Sequence, residues 1–258
     1  MKVALAQVSP VLNRNNVDMH LQEIKDCDAD VIVFPELSLN GYLLQDKVYE
    51  DAFTLVELDC FVQASHSIDI VLGCELRQDH RIFNAGIYFS KGEIKHVHHK
   101  VHLPNYGMFE EARYYFKGES IEFFNTLYGK TAIVVCEDLW RAESIAELSA
   151  QKPEIIYVIA NSPVRDFNEE SLLIKEQWEA ILKTTALLCG SYVIFVNRVG
   201  FEDGIGFWGS SMILTPAGEI EAELKRFEPE TKSFMLNKQL HFAQKQIIKN
   251  DALNKKYS

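Results

Sequence analysis

Glu36 and Cys136 each stand at or just past the end of an apolar run, Lys100 ends the histidine-rich run IKHVHHK, and their types suit cleavage of a carbon–nitrogen bond. A thiolate can attack an amide or nitrile carbon. A carboxylate beside it can take the thiol proton, return it to the leaving amine and later activate water. An ammonium can stabilise the oxyanion of the tetrahedral intermediate where water is excluded. No histidine is required. Each residue also has an ordinary reading. Glu36, after VIVFP, would be a cap or a surface ion pair, since a buried carboxylate needs a partner. Cys136, after TAIVV, would be a buried inert thiol. Against that, Cys136 precedes Glu137, Asp138 and the helical stretch RAESIAELSA at 141–150, so a helix dipole is expected to favour thiolate.

Lys100 sits in IKHVHHKVHLPNYGM. If 94–101 form a strand, His96, His98 and Lys100 share one face, and Val97, His99 and Val101 the other. Two same-face histidines could begin a zinc site, but no third or fourth ligand is signalled nearby, so no metal is expected. Edge-strand or surface decoration accounts for the histidines. Cys27, Cys60, Cys74 and Cys189 are read as inert core thiols. An odd set of five cysteines without CxxC spacing fits a reducing cytosol better than a disulfide framework.

These residues need rigid elements to hold them. Strand candidates are 3–8, 31–34, 69–76, 85–90, 94–101, 131–136, 155–160, 192–197 and 210–215, mostly β-branched and continuously apolar. Such runs imply strands covered on both faces. Helical spacing links Val17, Leu21, Ile24 and Cys27, and also Leu173, Ile174, Trp178, Ile181, Leu182, Thr185 and Leu188. Alternating strands and helices predict one α/β domain over 1–258, with 239–258 as a terminal helix or tail. VIVFPE at 31–36 and IIYVIANS at 155–162 hint at an internal duplication. Open α/β sheets place their chemistry at strand carboxyl ends, where Glu36 and Cys136 fall.

Net charge is −11, which argues against a nucleic-acid surface built from clustered Lys and Arg. The longest apolar runs are too short for a membrane span, and MKVALAQVSP is not a signal peptide. A cytoplasmic protein with no nucleic-acid or membrane partner is expected.

With these residues in place, the chain resembles the nitrilase superfamily of carbon–nitrogen hydrolases, whose catalytic Glu, Lys and Cys occur in this order. FPELSLNGYLLQD at 34–46, KVHLPNYGMFEEARYYFKG at 100–118, VVCEDLW at 134–140 and VNRVGFEDGIGFWGSS at 196–211 are similar to the glutaminase domain of glutamine-dependent NAD synthetases. The resemblance implies a four-layer αββα sandwich and a homodimer or larger homo-oligomer. It implies Glu36 as general base, Lys100 as oxyanion-stabilising lysine, Cys136 as nucleophile and Glu111 as an additional positioning glutamate. Tyr42, Tyr106, Phe109, Glu137 and Ser162 fall on positions that line or contact the glutamine pocket. Asn168 stands where the pattern carries a carboxylate-binding arginine, with Arg165 as the candidate substitute. Trp208 stands where the glutaminases carry a small acid.

Read without the resemblance, the turn aromatics are core, lid or pocket residues. Glu137 binds a substrate ammonium or caps the following helix. Gly107, Gly200, Gly204, Gly206 and Gly209 mark tight loops. No SGGxDS-type phosphate loop occurs in these 258 residues, which are not expected to make NAD alone. The expectation is a thiol amidase without a cofactor, acting on a small linear amide, glutamine-like ω-amides first and N-carbamoyl amines behind. The alternatives are a glutaminase-like subunit feeding ammonia to a separate synthetase, and a non-catalytic binding protein.

Overall fold

The computed structural model describes residues 1–42, 45–164 and 172–237. The expected tail at 239–258, Arg165 and Asn168 lie outside the described residues. Two six-stranded sheets dominate. The first has the order β14 (Glu230–Met235), β1 (Lys2–Gln7), β2 (Val31–Val33), β3 (Asp69–Gln78), β4 (Arg81–Ser90), β5 (Glu93–His99). The second has the order β13 (Ile220–Glu223), β12 (Met212–Leu214), β9 (Tyr192–Asn197), β8 (Ile155–Ala160), β7 (Gly129–Val135), β6 (Phe123–Thr126). A separate ribbon pairs β10 (Val199–Glu202) with β11 (Ile205–Trp208).

Each large sheet has three parallel central strands, β1-β2-β3 in one and β7-β8-β9 in the other. Two antiparallel strands follow on one side, β4-β5 or β12-β13, and one antiparallel strand flanks the other side, β14 or β6. The two sheets therefore repeat one topology. VIVFPE and IIYVIANS, the pair that hinted at duplication, supply the equivalent central strands β2 and β8.

Strand alternation builds the layers. Val3, Leu5, Val31, Val33 and Val71 point between the sheets, where they meet Ile133, Val135, Tyr157, Ile159, Ile194 and Val196. Their neighbours Ala4, Ala6, Ile32, Phe34, Ile70 and Leu72 point outward, onto α1 (Val17–Asp26) and α3 (Asp59–Ala64). On the far side Val134, Ile156, Val158 and Phe195 face α5 (Ala142–Gln151) and α6 (Leu173–Cys189). The period of two thus gives every central strand two apolar faces, and the result is the αββα sandwich. Single helical turns, α2 (Val48–Asp51) and α4 (Glu111–Tyr114), lie in the connections.

Several boundaries differ from expectation. The histidine strand stops at His99, with Lys100 and Val101 beyond it, and 210–215 shrinks to Met212–Leu214 because Ser210 is left-handed at φ 47°. Edge strands β6 and β13 carry four residues each, too few to show a period, and β14 opens on four polar residues, Glu230 to Ser233, with no apolar alternation. The ribbon β10–β11 stands where Gly200, Gly204 and Gly206 predict tight loops. Its Asp203-Gly204 turn, with φ of 48° and 79°, is the Asp-Gly pair that a two-residue hairpin requires.

Candidate active site

β2 ends at Val33, and Phe34-Pro35 carry the chain into a turn that buries Glu36 completely. The turn lies flat against β3 because residue 73 is glycine. A Cβ there would sit 2.5 Å from Leu37 N and 2.7 Å from Glu36 Cα. Lys100 follows β5, pinned on both sides: its N–H donates to Asn84 O (2.9 Å), and its carbonyl accepts from Gly118 N–H (2.8 Å). Glu111 opens α4, its N–H bonded to Pro104 O (3.1 Å).

The three side chains meet in the interior. Lys100 Nζ donates to Glu36 Oε1 (2.7 Å) and to Glu111 Oε1 (2.7 Å). Asn84 Nδ2 also donates to Glu36 Oε1 (2.7 Å), and the Tyr42 hydroxyl donates to Glu111 Oε1 (2.6 Å). The second oxygens, Glu36 Oε2 and Glu111 Oε2, are buried and have no partner among the described residues. An ammonium has three donors, and two of those on Lys100 are taken by the carboxylates.

Cys136 joins from the second sheet. It is the first residue after β7, left-handed at φ 46°, and half-buried. Asp138 holds this turn against the lysine segment. Its Oδ2 accepts from Val135 N–H (3.0 Å) and contacts His98 Nε2 (2.8 Å), while Oδ1 accepts from Val101 N–H (3.0 Å) and His102 N–H (2.8 Å). His98 is therefore part of a buried strap between the two sheets, a correction to its reading as decoration. His96 stacks on Phe124 and His99 on Phe83, at 4.4 and 4.0 Å between ring centroids. Among the described residues no group of three His, Cys, Asp or Glu side chains is placed to hold a metal ion.

Electrostatics revise the state of the thiol. Burial, Glu36 and Glu111 push the Cys136 thiol well above its ordinary range, against the pull of Lys100 and the Asn161 N–H. The helix-dipole expectation fails because residues 136–140 form a 3₁₀ turn, and α5 starts only at Ala142. The resting sulfur is a neutral thiol. Burial raises Glu111 to about 7, opposed by Lys100. Burial would lower the Lys100 ammonium, but Glu111 and Glu36 together hold it well above its ordinary value.

A cavity of about 20 Å³ is lined in part by Cys136. Its wall includes Tyr42, Phe109, Glu111, Cys136, Glu137 and Ser162, which the sequence singled out, together with Asn161, Trp140 and Trp178, which it did not. Tyr106 stands at the rim, 45% exposed, its ring 5.4 Å from Phe109 and its hydroxyl donating to Glu137 Oε2 (2.8 Å). Trp208 is fully buried, and it lies behind Ser162 instead of on the cavity wall. Asn161 could have been found as the polar residue ending β8. Asn84 lies mid-strand and carries no local signal.

Residues 2–239 match the family model for carbon-nitrogen hydrolases. The chain is 29% identical over 240 residues to a glutamine-dependent NAD(+) synthetase of Acinetobacter baylyi, covering 89% of this chain and 43% of that protein. It thus spans less than half the length of the curated relatives it matches first. The solved glutamine-dependent NAD+ synthetase of Acinetobacter baumannii superposes with TM-score 0.81 at 26% identity, over 93% of this chain and 46% of that one. The NitN amidase of Neterenkonia sp. AN1 superposes with TM-score 0.78 at 20% identity, over 97% and 99%, a likeness of fold.

Proposed function

The chain belongs to the carbon-nitrogen hydrolase family, and on that premise we propose that it is a thiol amidase acting on a small linear amide, with glutamine-like ω-amides preferred. One observation carries the reading: two buried carboxylates share one ammonium beside a half-buried thiol that lines a cavity. Because the thiol is neutral at rest, attack requires that its proton leave as the C–S bond forms. Glu36 Oε2 is the acceptor, since Oε1 is already held by Lys100 and Asn84. The third Lys100 donor is directed to the oxyanion. Glu36 then delivers the proton to the leaving nitrogen, which departs as ammonia or an amine and leaves a thioester on Cys136. Glu36 next takes a proton from water; hydroxide adds to the thioester carbon, the C–S bond breaks to free the acid, and Glu36 returns the proton to the departing sulfur, which regenerates the thiol.

Ammonia release from a panel of short amides tests this reading. Cys136→Ala is expected to abolish release from every member while leaving the melting temperature within a few degrees. Retained turnover in that variant would refute the mechanism.

A second reading has its own support. The curated relatives first matched are glutamine-dependent NAD synthetases more than twice as long as the aligned region. As a glutaminase-like subunit, this chain would pass ammonia to a separate synthetase, and its turnover would rise on mixing with that partner. A homodimer fits the exposed Leu187 and Leu188 on α6; sedimentation as a monomer at micromolar concentration would remove that part. No helix among the described residues is long and apolar enough to cross a membrane.

A further inference from the structure

A groove of about 640 Å³ lies apart from the catalytic cavity, and the two have no lining residue in common. It is lined by the segments 101–103 and 112–117, with Tyr49 of α2 and with Arg141. The two segments are drawn together where Gly118 N–H donates to Lys100 O (2.8 Å). Only glycine permits that approach, because a Cβ at 118 would sit 2.1 Å from His99 O.

Four basic side chains, His102, Arg113, Lys117 and Arg141, line this groove, and among the described residues no carboxylate does. The protein as a whole has the opposite sign, with a net charge of −11. A cleft lined by one sign of charge focuses its field on whatever enters it. The fold does not use up these cations. Lys117 is exposed and has no ion-pair partner among the described residues. Arg113 Nη1 stands 3.7 Å from Glu110 Oε2 with both side chains largely exposed, so water competes for that pair. Arg141 gives Nη2 to Glu137, one of the five donors of its guanidinium.

Aromatic faces accompany the charges. Tyr49 is 61% exposed and Phe116 is 53% exposed. The Arg113 guanidinium lies 5.4 Å from the centre of the Tyr114 ring, and that of Arg81 lies 5.7 Å from the centre of Phe116. Ring and cation are therefore neighbours at both places. An inorganic ion would leave the rings uncovered and most of the groove to water. The volume instead suits a small organic ligand.

We propose that this groove is a second binding site, for an organic anion in which a planar ring carries a carboxylate or a phosphate. The ring covers the exposed aromatic faces. The oxyanion accepts chiefly from Arg113 and Lys117, the two least engaged donors. Neither Cys136 nor an amide enters into this binding, so it stands or falls apart from the proposed catalysis.

Titration calorimetry of the full chain at low salt makes the test, with 1-naphthoate, 1-naphthyl phosphate, 1-naphthylmethanol and inorganic phosphate as probes. At least one naphthyl anion is expected to bind one per chain with Kd below about 1 mM. It is expected to exceed both the neutral alcohol and inorganic phosphate by about tenfold or more. The tighter of the two anions identifies the oxyanion as carboxylate or phosphate. The double variant Arg113→Gln/Lys117→Gln is expected to weaken that binding by about tenfold or more, with the melting temperature within a few degrees of native. Lys117→Glu alone, which puts a carboxylate on the lining, is expected to weaken it by a similar factor. Binding of both anions weaker than about 1 mM, equal affinity for the alcohol or for inorganic phosphate, or unchanged affinity in these variants overturns the proposal.

Discussion

Glu111 is the residue whose titration falls in the working pH range. Its carboxyl, raised to about 7 by burial, is held down by Lys100 and by the Tyr42 hydroxyl. Tyr42→Phe removes one of those bonds to the charged form, so the Glu111 pKa rises further. If catalysis needs ionised Glu111, the acid limb of the kcat/KM profile lies near pH 7 and moves to higher pH in the variant; an unmoved limb would detach Glu111 from the reaction. The types of Glu36, Lys100 and Cys136 were legible in the sequence, because Glu36 and Cys136 end apolar runs, Lys100 ends a histidine-rich one, and each suits one task. The protonation of the thiol was not. It depends on Glu36 and Glu111, which lie 100 and 25 positions away along the chain.

Two contacts between elements position these groups. Gly73 on β3 lets the Glu36 turn lie against the sheet, so Gly73→Ala forces a Cβ into backbone at 2.5–2.7 Å. Backbone cannot yield as a flexible side chain would, and a loss of about 1–3 kcal/mol is expected. Denaturant unfolding measures that loss, and ammonia release is expected to fall with it as Glu36 is displaced. Asp138 is the second contact. Asp138→Ala strands the buried N–H of Val135, the buried His98 ring and the half-buried N–H groups of Val101 and His102, at a cost of about 3 kcal/mol or more. A variant within 1 kcal/mol of the native protein would show that the strap is dispensable. In the sequence Asp138 looked like part of an acidic helix start, because nothing local to it reveals that Lys100 lies across the fold.

Over the whole molecule, buried titratable groups set the response to pH. Glu75 is fully buried, accepts from the Tyr115 hydroxyl, and is raised by burial from 4.5 to about 8. Between those values the folded protein keeps a proton that the unfolded chain releases, so stability falls as pH rises through this window, by on the order of 4 kcal/mol. Glu75→Gln cannot titrate. Its unfolding free energy is expected to lack that decline between pH 5 and 8, and parallel curves for the two proteins would contradict the assignment. On the acid side, burial lowers His20, His96 and His99 to about 4, so each costs stability as pH falls from 6.5 toward 4.

Residue order along the chain is enough for the layers and for the strand ends that carry Glu36 and Cys136. Continuous β-branched runs need apolar cover on both faces, helical periods supply part of that cover, and Pro-Glu or Cys-Glu-Asp after such runs marks strand ends. Tertiary structure alone decided how those ends face one another. It set Asn84 and Tyr42 against the two carboxylates, turned His98 inward onto Asp138, held the thiol neutral and brought two indole N–H groups onto the Ser162 oxygen. The reason is physical: periodicity reports only which face of an element is buried, whereas desolvation and hydrogen bonding depend on groups that the chain brings together from distant positions.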